Sequence, residues 1–502
     1  MSIMKKQPGG AQVARGAALM MMFKLAERSI GFVSTLILAR LLVPADFGLV
    51  AMAMSIVALM QLMGAFGFET AIIQRQDAQR KHYDTAWTFG VIFSCATAVL
   101  LLVLAVPAAS FYREPRVTLI LVVLAFGALA QGFENIGTVA FRKELDFARE
   151  FRFLLSKKVI TFFVTIGMAL AFRSYWALVV GTVVGKWFSV WISYRVHPFR
   201  PKLSLEATHD LFHFSKWLFL SNLVLFLQHR SDAFILGRTV GATELGLYNI
   251  AAEIAALPST ELIAPINRAV FPAYAMLSGQ LELLREKFLE VFRFIAVLSL
   301  PVCVGLVCVS ELAVKVLLGD KWMAAVPLLQ LFTVCGLTSA LQSNLILVIV
   351  AMGKPKANTV LSALMLIPYL PAMIWASIHY GTLGATWVHL VMSILVLIPL
   401  HVVFFRMTGL RARAYFATLW RPLLAAACMG AVVVTMQLKL DLLFSNVAAP
   451  LTLVVYTMMG ACVYVTVLMA LWHLSGRPAH SAETAILLEL VRRLQRATPS
   501  NS

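Results

Sequence analysis

Ionisable side chains recur inside apolar stretches of this chain that are long enough to cross a membrane, and these side chains could do chemistry there. On the first stretch, Glu27 and Arg28 follow Lys24 by three and four positions, which places all three on one face of a helix. A charge at the bilayer centre costs roughly 2.5 to 3.5 kcal/mol on insertion scales, so it normally faces a cavity or a partner. The spacing therefore predicts a polar chamber.

The predicted chamber is rich in cations. Arg and Lys donate charge-assisted hydrogen bonds to phosphate oxygens, so a lipid pyrophosphate or an anionic sugar would suit such a chamber. The candidate substrate-binding residues are Lys24, Arg28, Lys157, Lys186, Arg230 and Arg268. In the competing interpretation, Lys24 with Glu27 and Arg230 with Asp232 are structural ion pairs that contact no substrate.

Two carboxylates within these stretches, Glu27 and Glu261, are candidates for coupling transport to H⁺ or Na⁺, although a carboxylate beside Arg could equally be a fixed counter-charge. No other cofactor is expected.

The sequence lacks the motifs of common enzyme sites. The chain has no GxxxxGK[ST] loop, no His and Cys spacing typical of zinc, and no nucleophile, acid and base set. These observations predict a protein that is not an enzyme.

A polar turn between two apolar stretches occurs twice, at a constant offset of 198 positions. The shared residues are Arg40, Asp46 and Gly48 in the first copy and Arg238, Glu244 and Gly246 in the second. An internal repeat between two halves of a membrane chain is typical of a transporter that rocks around a central site. We interpret these residues as structural, although two unrelated membrane hairpins can also look alike.

Composition predicts an all-α integral membrane protein. Hydrophobic residues make up 60% of the 502 and charged residues 13%, and apolar runs of about 20 residues recur without period-two alternation. About fourteen transmembrane helices are expected, as two pseudo-symmetric six-helix bundles plus a C-terminal pair; those over 116–141, 357–379 and 382–405 are among them. The predicted divisions are an N-terminal bundle over 1–197, a cytoplasmic linker over 198–210, a second bundle over 211–406, the extra pair over 407–475 and a cytoplasmic amphipathic tail over 476–502.

The net charge of +18 does not indicate nucleic-acid binding, because the basic residues lie in short loops between membrane spans. Lys and Arg concentrate in the loops on one face, and such loops stay cytoplasmic. This bias predicts that both termini are cytoplasmic and that both copies of the turn face outward. The loops are also too short to hold a folded catalytic domain.

Prolines recur every seven residues at Pro258, Pro265 and Pro272. Each removes a backbone hydrogen bond and can bend a helix. The pattern predicts a bent helix, either as a gate or as a static kink that shapes the cavity.

The two turns carry a family likeness. Residues 38–42 with Pro44 and 46–48 resemble the first-hairpin signature of bacterial polysaccharide flippases of the Wzx kind, as do 232–238 with 245–248. The closest likeness is to the colanic-acid-exporter-like subfamily of the multidrug, oligosaccharidyl-lipid and polysaccharide exporter superfamily.

This resemblance implies alternating-access transfer of undecaprenyl-pyrophosphate-linked oligosaccharide repeat units across the bacterial cytoplasmic (inner) membrane. The product would be exopolysaccharide, capsule or the O-antigen of lipopolysaccharide. The implied partners are this lipid-linked substrate, membrane lipids, and a polysaccharide polymerase with export machinery. By analogy with the related lipid II flippase, residues 416–473 would form a groove for the lipid tail. The alternative is a cation-coupled multidrug antiporter of the same superfamily; a membrane polymerase or ligase is disfavoured by the short outer loops.

Overall fold

The computed structural model describes residues 10–62, 68, 72, 73, 75, 78–208, 215–440 and 448–476. Regular structure in these residues is helical, and they contain no strand. The predicted tail lies outside the described residues from position 477 onward, as do the last two residues of the predicted linker.

Ten stretches of the described residues are long and apolar enough to cross a membrane. One of them, Thr359–Thr408, has 50 residues, more than twice the roughly 20 that a single crossing needs. Gly381 interrupts it with a φ of 63°, which favours glycine. The all-α membrane class is confirmed. The predicted count of about fourteen helices is compatible with this finding, because the charged helix Gly10–Leu41 is not among the ten stretches.

The chain divides by its internal contacts into two units, and the first covers Met1–Gly246. Its helices are α1 (Gly10–Leu41), α2 (Pro44–Leu62), α3 (Arg80–Tyr112), α4 (Arg116–Phe133), α5 (Val139–Lys143), α6 (Phe147–Phe172), α7 (Trp176–Val196), α8 (Ser215–Thr239) and the start of α9 (Gly241–Leu257). Helix α4 packs against α3 and α7, α6 packs against α1 and α7, and α2 packs against α8.

Helices α6 and α7 approach closely because glycines of one face threonines of the other. A Cβ at Gly181 would lie 2.0 Å from Thr165 Oγ1, and one at Gly185 would lie 2.2 Å from Thr161 Oγ1. Small residues allow membrane helices to pack backbone to backbone. These contacts hold α6 in a fixed register against α7, which positions the polar residues of both.

Residues 202–207 lie along the first turns of α3. Their backbone N–H groups donate to side chains of that helix: Lys202 to Asp84 Oδ1 at 2.9 Å and Ala207 to Thr85 Oγ1 at 3.2 Å. Both acceptors are buried. This part of the predicted linker is therefore fixed to the helix.

Asp46 joins two parts of the first unit. The side chain is 8% exposed; Oδ2 accepts the backbone N–H of Val43 at 3.1 Å, and Oδ1 accepts that of Tyr175 at 3.2 Å. It thus connects the α1–α2 turn to the residue that precedes α7.

We expect Asp46→Ala to lower the free energy of unfolding by about 1–3 kcal/mol, because two backbone N–H groups lose their acceptor. The melting temperature of the purified chain measures this loss. The control is Asp146→Ala, which removes a cap bond to Arg149 N at 3.1 Å and a surface ion pair with Arg149 Nε at 3.2 Å, and should cost about 1 kcal/mol. Equal losses in the two variants would contradict a bridging role for Asp46.

The second unit covers Leu247–Ser502. Beyond the rest of α9, its helices are α10 (Ala264–Met276), α11 (Leu281–Cys308), α12 (Ser310–Leu317), α13 (Val326–Ala351), α14 (Pro355–Leu395), α15 (Leu397–Thr408), α16 (Ala412–Phe416), α17 (Trp420–Leu440) and α18 (Ala449–Leu474). Helix α13 packs against α10, α11, α14 and α15, while α17 and α18 pack together and against α11. The predicted bundles and helix pair stay a prediction.

The proline-rich stretch contains a π-helical turn. It covers Pro258–Ile263 and joins α9 to α10. Ser259 Oγ donates to Gly336 O of α13 at 2.9 Å, which fixes the turn against that helix. Such turns occur where the regular backbone ladder is interrupted, as Pro258 requires because it lacks an N–H.

A buried polar network crosses the second unit beside α13. Tyr274 Oη donates to Asn344 Oδ1 at 3.3 Å, Asn344 Nδ2 donates to Asn267 Oδ1 at 3.1 Å, and Asn267 Nδ2 donates to Ser343 Oγ at 2.8 Å. These bonds pair polar groups that would be costly to bury alone. The network therefore fixes α10 against α13.

Candidate functional site

A cavity of about 530 Å³ lies within the first unit, where α3 begins, α4 ends and α6 begins. That volume is within the roughly 300–1,000 Å³ typical of ligand pockets. Its polar and aromatic lining includes Gln61, Trp87, Gln131, Glu134, Asn135, Arg142, Glu150 and Lys157. The concentration of polar groups within an apolar bundle makes this cavity the candidate site.

Glu134 lies at the centre of one wall. It follows the last residue of α4 in an extended conformation, so its side chain reaches α6 and α7. Lys157 Nζ lies 3.1 Å from Oε1 and 3.2 Å from Oε2, and Ser189 Oγ donates to Oε2 at 2.7 Å. The Lys157 ammonium also lies 4.9 Å from the centroid of the Phe153 ring. Three helices therefore meet at one carboxylate.

Asn135 fixes the backbone beside this pair. Its N–H donates to Ser193 Oγ at 3.0 Å, and its Nδ2 donates to the carbonyl oxygens of His197 at 3.3 Å and Phe199 at 2.8 Å. The backbone of Gly137 lies close to the His197 ring, since a Cβ at Gly137 would lie 2.3 Å from His197 Nδ1. The segment after α4 is thus held against the end of α7.

Burial lowers the pKa of His197; Glu144 opposes this shift, and Arg149 and Arg200 add to it. A neutral imidazole can accept a hydrogen bond, and Nδ1 accepts the Phe199 N–H at 3.2 Å. His197 therefore acts here as a structural residue beside the cavity.

A second ion pair lines the cavity, between Arg142 Nε and Glu150 Oε1. Glu150 is 4% exposed, and its other oxygen, Oε2, has no hydrogen-bond partner among the residues that the structure describes. The two cations of this wall are matched by two carboxylates. The cavity is therefore close to neutral.

The structure places Lys157 in this cavity but not Lys24 and Arg28, the two predicted substrate-binding cations of α1. Lys24 and Arg28 are both exposed, and Lys24 Nζ bonds Glu27 Oε2 at 2.8 Å. This is the geometry of a structural ion pair. Roles for these residues in substrate binding and coupling stay predictions.

Lys186 lies on α7, one turn before Ser189. The residue is partly buried, and the ring of the next residue, Trp187, packs 4.9 Å from that of Phe126. Lys186 does not line the cavity. Its role in substrate binding also stays a prediction.

The remaining predicted residues lie on α8, the π turn and α10. Arg230 is exposed on α8. Glu261 accepts Thr260 Oγ1 at 3.0 Å, and exposed Arg268 donates to Ala264 O at 3.3 Å within its own helix. These contacts are local, and the predicted roles are untested.

The two copies of the repeated turn contact each other within the first unit. A Cβ at Gly48 would lie 1.7 Å from Ala242 O, and one at Gly246 would lie 1.9 Å from Pro44 O. Pro44 and Ala242 correspond at the same offset of 198 as the two glycines, so the contact is reciprocal, as around a two-fold axis.

Asp46 and Arg238, two of the four charged residues of the turns, contact the backbone of other elements of the first unit. Arg238 Nη1 donates to Phe111 O at 2.8 Å, and its guanidinium lies 5.8 Å from that ring centroid. Arg40 is exposed, Glu244 is the acidic residue in the first turn of α9, and Asp46 makes the backbone contacts described above. The structural interpretation of the motif stays a prediction that these contacts support.

Sequence reasoning missed Glu134 and Glu150. The apolar sequence predicts one helix over 116–141, whereas α4 ends at Phe133. The available signal was the pair Glu134 and Asn135 followed by Gly137, which are residues typical of a helix end rather than an apolar span.

Comparison with known proteins gives the family of this chain. Residues 37–327 match the family described as "Polysaccharide biosynthesis protein". The chain is 26% identical to the teichuronic acid biosynthesis protein TuaB of Bacillus subtilis over 82% of this chain and 85% of that protein. It is 24% identical to the lipopolysaccharide biosynthesis protein WzxC of Escherichia coli, over 84% and 86% respectively.

Solved structures share the fold. The lipid II flippase MurJ in an inward closed conformation matches with a TM-score of 0.74 and 11% identity, over 91% of this chain and 99% of that one. An inward-facing multidrug transporter of the MATE family matches with a TM-score of 0.56 and 16% identity, over 77% and 96%. At these identities the likeness shows the fold.

Proposed function

Because this chain belongs to the polysaccharide biosynthesis protein family, we propose that it carries undecaprenyl-pyrophosphate-linked oligosaccharide repeat units from the inner to the outer leaflet of the bacterial cytoplasmic membrane. The family match carries this proposal, since it covers more than half of the chain. Two relatives named for cell-surface glycan synthesis align with more than four fifths of it. The chain is a multi-pass membrane protein, and its function is transport rather than catalysis.

The fold supports movement of a lipid-linked sugar. MurJ, whose fold this chain shares, is named as a flippase of lipid II. In the first unit, a polar cavity opens within apolar helices, which can hold a hydrophilic headgroup while the lipid tail stays in the bilayer. The internal repeat of the sequence supports alternating access. Both termini are cytoplasmic in this proposal, and a polymerase and export machinery would act after transfer.

Coupling to H⁺ or Na⁺ through Glu27 and Glu261 belongs to the same proposal. A multidrug antiporter of the same superfamily would also need a coupling ion. The likeness of this chain to a MATE transporter is a likeness of fold. Uptake of organic cations by the reconstituted chain separates the two functions. The proposed flippase shows no such uptake under an ion gradient.

Deletion of the gene in the source bacterium tests the proposal in cells. We expect lipid-linked repeat units to accumulate on the inner leaflet and surface polysaccharide to be lost, because the headgroup crosses apolar lipid too slowly without a carrier. Mass spectrometry of extracted lipids and an impermeant label for surface sugars measure both effects. Restoring the gene serves as the control. Normal surface polysaccharide in a deletion strain without related transporters would contradict the proposal.

A further inference from the structure

We propose that the cavity of the first unit binds the sugar part of the lipid-linked substrate, and that Glu150 Oε2 accepts hydrogen bonds from its hydroxyl groups. This inference rests on the proposed function, because it assigns one part of that substrate to one site. It assigns a binding site to the sugar that excludes the pyrophosphate, whereas the cation-rich sequence pattern does not distinguish the sites of these two groups.

The first support is the unpaired oxygen of Glu150. The residue is 4% exposed and lines the cavity; Oε1 is bonded to Arg142, while Oε2 has no partner among the described residues. An ionised carboxylate can only accept hydrogen bonds. Buried acceptors without a donor are rare because they lose their hydration without replacement. Oε2 is itself buried beside the cavity, so a ligand that brings donors into the cavity would satisfy this oxygen once the carboxylate turns toward it.

The second support is the charge of the wall. Lys157 is paired with Glu134, and Arg142 is paired with Glu150. A phosphate entering here would meet two carboxylates whose counter-charges are already engaged, and like charges repel strongly at short range. No cluster of three His, Cys, Asp or Glu suited to a metal ion occurs in the described part of the chain. The wall therefore favours a neutral ligand with many hydroxyl groups.

The third support is the pairing of an aromatic ring with side-chain amides. Trp87 lines the cavity beside Gln61 and Gln131, and Gln61 Nε2 donates to Gln131 Oε1 at 3.2 Å. Amides both donate and accept, as hydroxyl groups do. The negative face of an indole ring attracts the positively polarised C–H groups of a sugar ring. Together with a volume of about 530 Å³, these groups match a saccharide.

Native mass spectrometry of the full chain in lipid nanodiscs tests the inference with two probes. One is the lipid-linked oligosaccharide extracted from the source cells, and the other is undecaprenyl pyrophosphate without sugar. We expect Glu150→Gln to weaken binding of the first probe about tenfold, the factor that one charge-assisted hydrogen bond supplies, and not to weaken binding of the second, because Arg142 without its counter-charge attracts phosphate. Trp87→Leu should have the same selective effect.

Glu144→Gln is the matched control, because this exposed carboxylate lies near the same helix ends and outside the cavity lining. It should bind both probes as the unmodified chain does. If Glu150→Gln fails to fold, Trp87→Leu decides the question.

Three results would overturn the inference while leaving the proposed function intact. These are equal binding of the two probes by the unmodified chain, sugar-dependent binding that survives both cavity variants, and a loss in Glu150→Gln that appears only when Na⁺ is present. The last result would make Oε2 a cation ligand. Failure of the unmodified chain to bind or transfer the extracted lipid would instead contradict the proposed function.

Discussion

Gly48→Val is expected to lower the free energy of unfolding by about 3 kcal/mol, at the upper end of the cost of overpacking. The added carbon would lie 1.7 Å from the carbonyl oxygen of Ala242, and a backbone atom cannot move aside as a flexible side chain can. The two turns must then separate. We expect a lower melting temperature of the purified chain and loss of surface polysaccharide in cells that carry the variant.

Gly167→Ala is the matched control, because nothing lies within 4 Å of its Cβ position on α6. It should keep full stability and function. The reciprocal contact also predicts how the effects of two substitutions combine. Gly48→Ala and Gly246→Ala should each destabilise the chain, and the double variant should cost less than their sum, because one separation of the turns relieves both clashes. Additive costs would show that the two contacts are independent.

Replacing Glu134 by alanine is expected to have the second large effect. Lys157 would lose its ion pair and Ser189 its acceptor, at a site where both charged side chains are less than a third exposed. Removing one partner of a buried pair costs about 3–5 kcal/mol, and partial exposure places this pair at or below the lower end. Thermal unfolding measures the loss, and surface polysaccharide should fall with it.

A double-mutant cycle isolates the Glu134–Lys157 contact from other effects. Glu134→Gln and Lys157→Met should each destabilise the chain, because each leaves one charged partner alone. The double variant removes both charges, so its loss of stability should be smaller than the sum of the two single losses. The exposed pair Lys287 and Glu290, which bonds at 2.8 Å, is the control. Its cycle should give a coupling below about 1 kcal/mol. A Glu134–Lys157 coupling no larger than this would contradict a structural role for the cavity pair.

The helices could be predicted from sequence because the bilayer imposes their length. Predicted helices over 357–379 and 382–405 match a single helical stretch that is interrupted at Gly381. The repeated turn was recognisable because its Arg, acid and Gly keep one offset. The reciprocal contact between the two turns could not be predicted, because a local sequence pattern does not specify which backbone atoms come together.

The cavity could not be predicted because it depends on contacts between residues distant in the sequence. Glu134 meets Lys157 and Ser189, which lie 23 and 55 positions further along the chain. The sequence pattern of intramembrane charge predicts cations that bind substrate. The structure shows that one of them, Lys157, is paired with the carboxylate of Glu134. Apolar residues at helical spacing continue past Phe133 to Ile136 and Ala140, and this pattern outweighs the helix-end signal of Glu134 and Asn135. Tertiary hydrogen bonds of Asn135 hold that break in place.

Transfer of lipid-linked oligosaccharide by the purified chain tests the central claim most directly. The extracted lipid is incorporated into both leaflets of liposomes, and an impermeant glycosidase is added outside. In empty liposomes only the outer-leaflet sugar is cleaved. We predict near-complete cleavage when the chain is present, and a return toward the empty-liposome result with Gly48→Val. Equal cleavage with and without the unmodified chain would contradict the account.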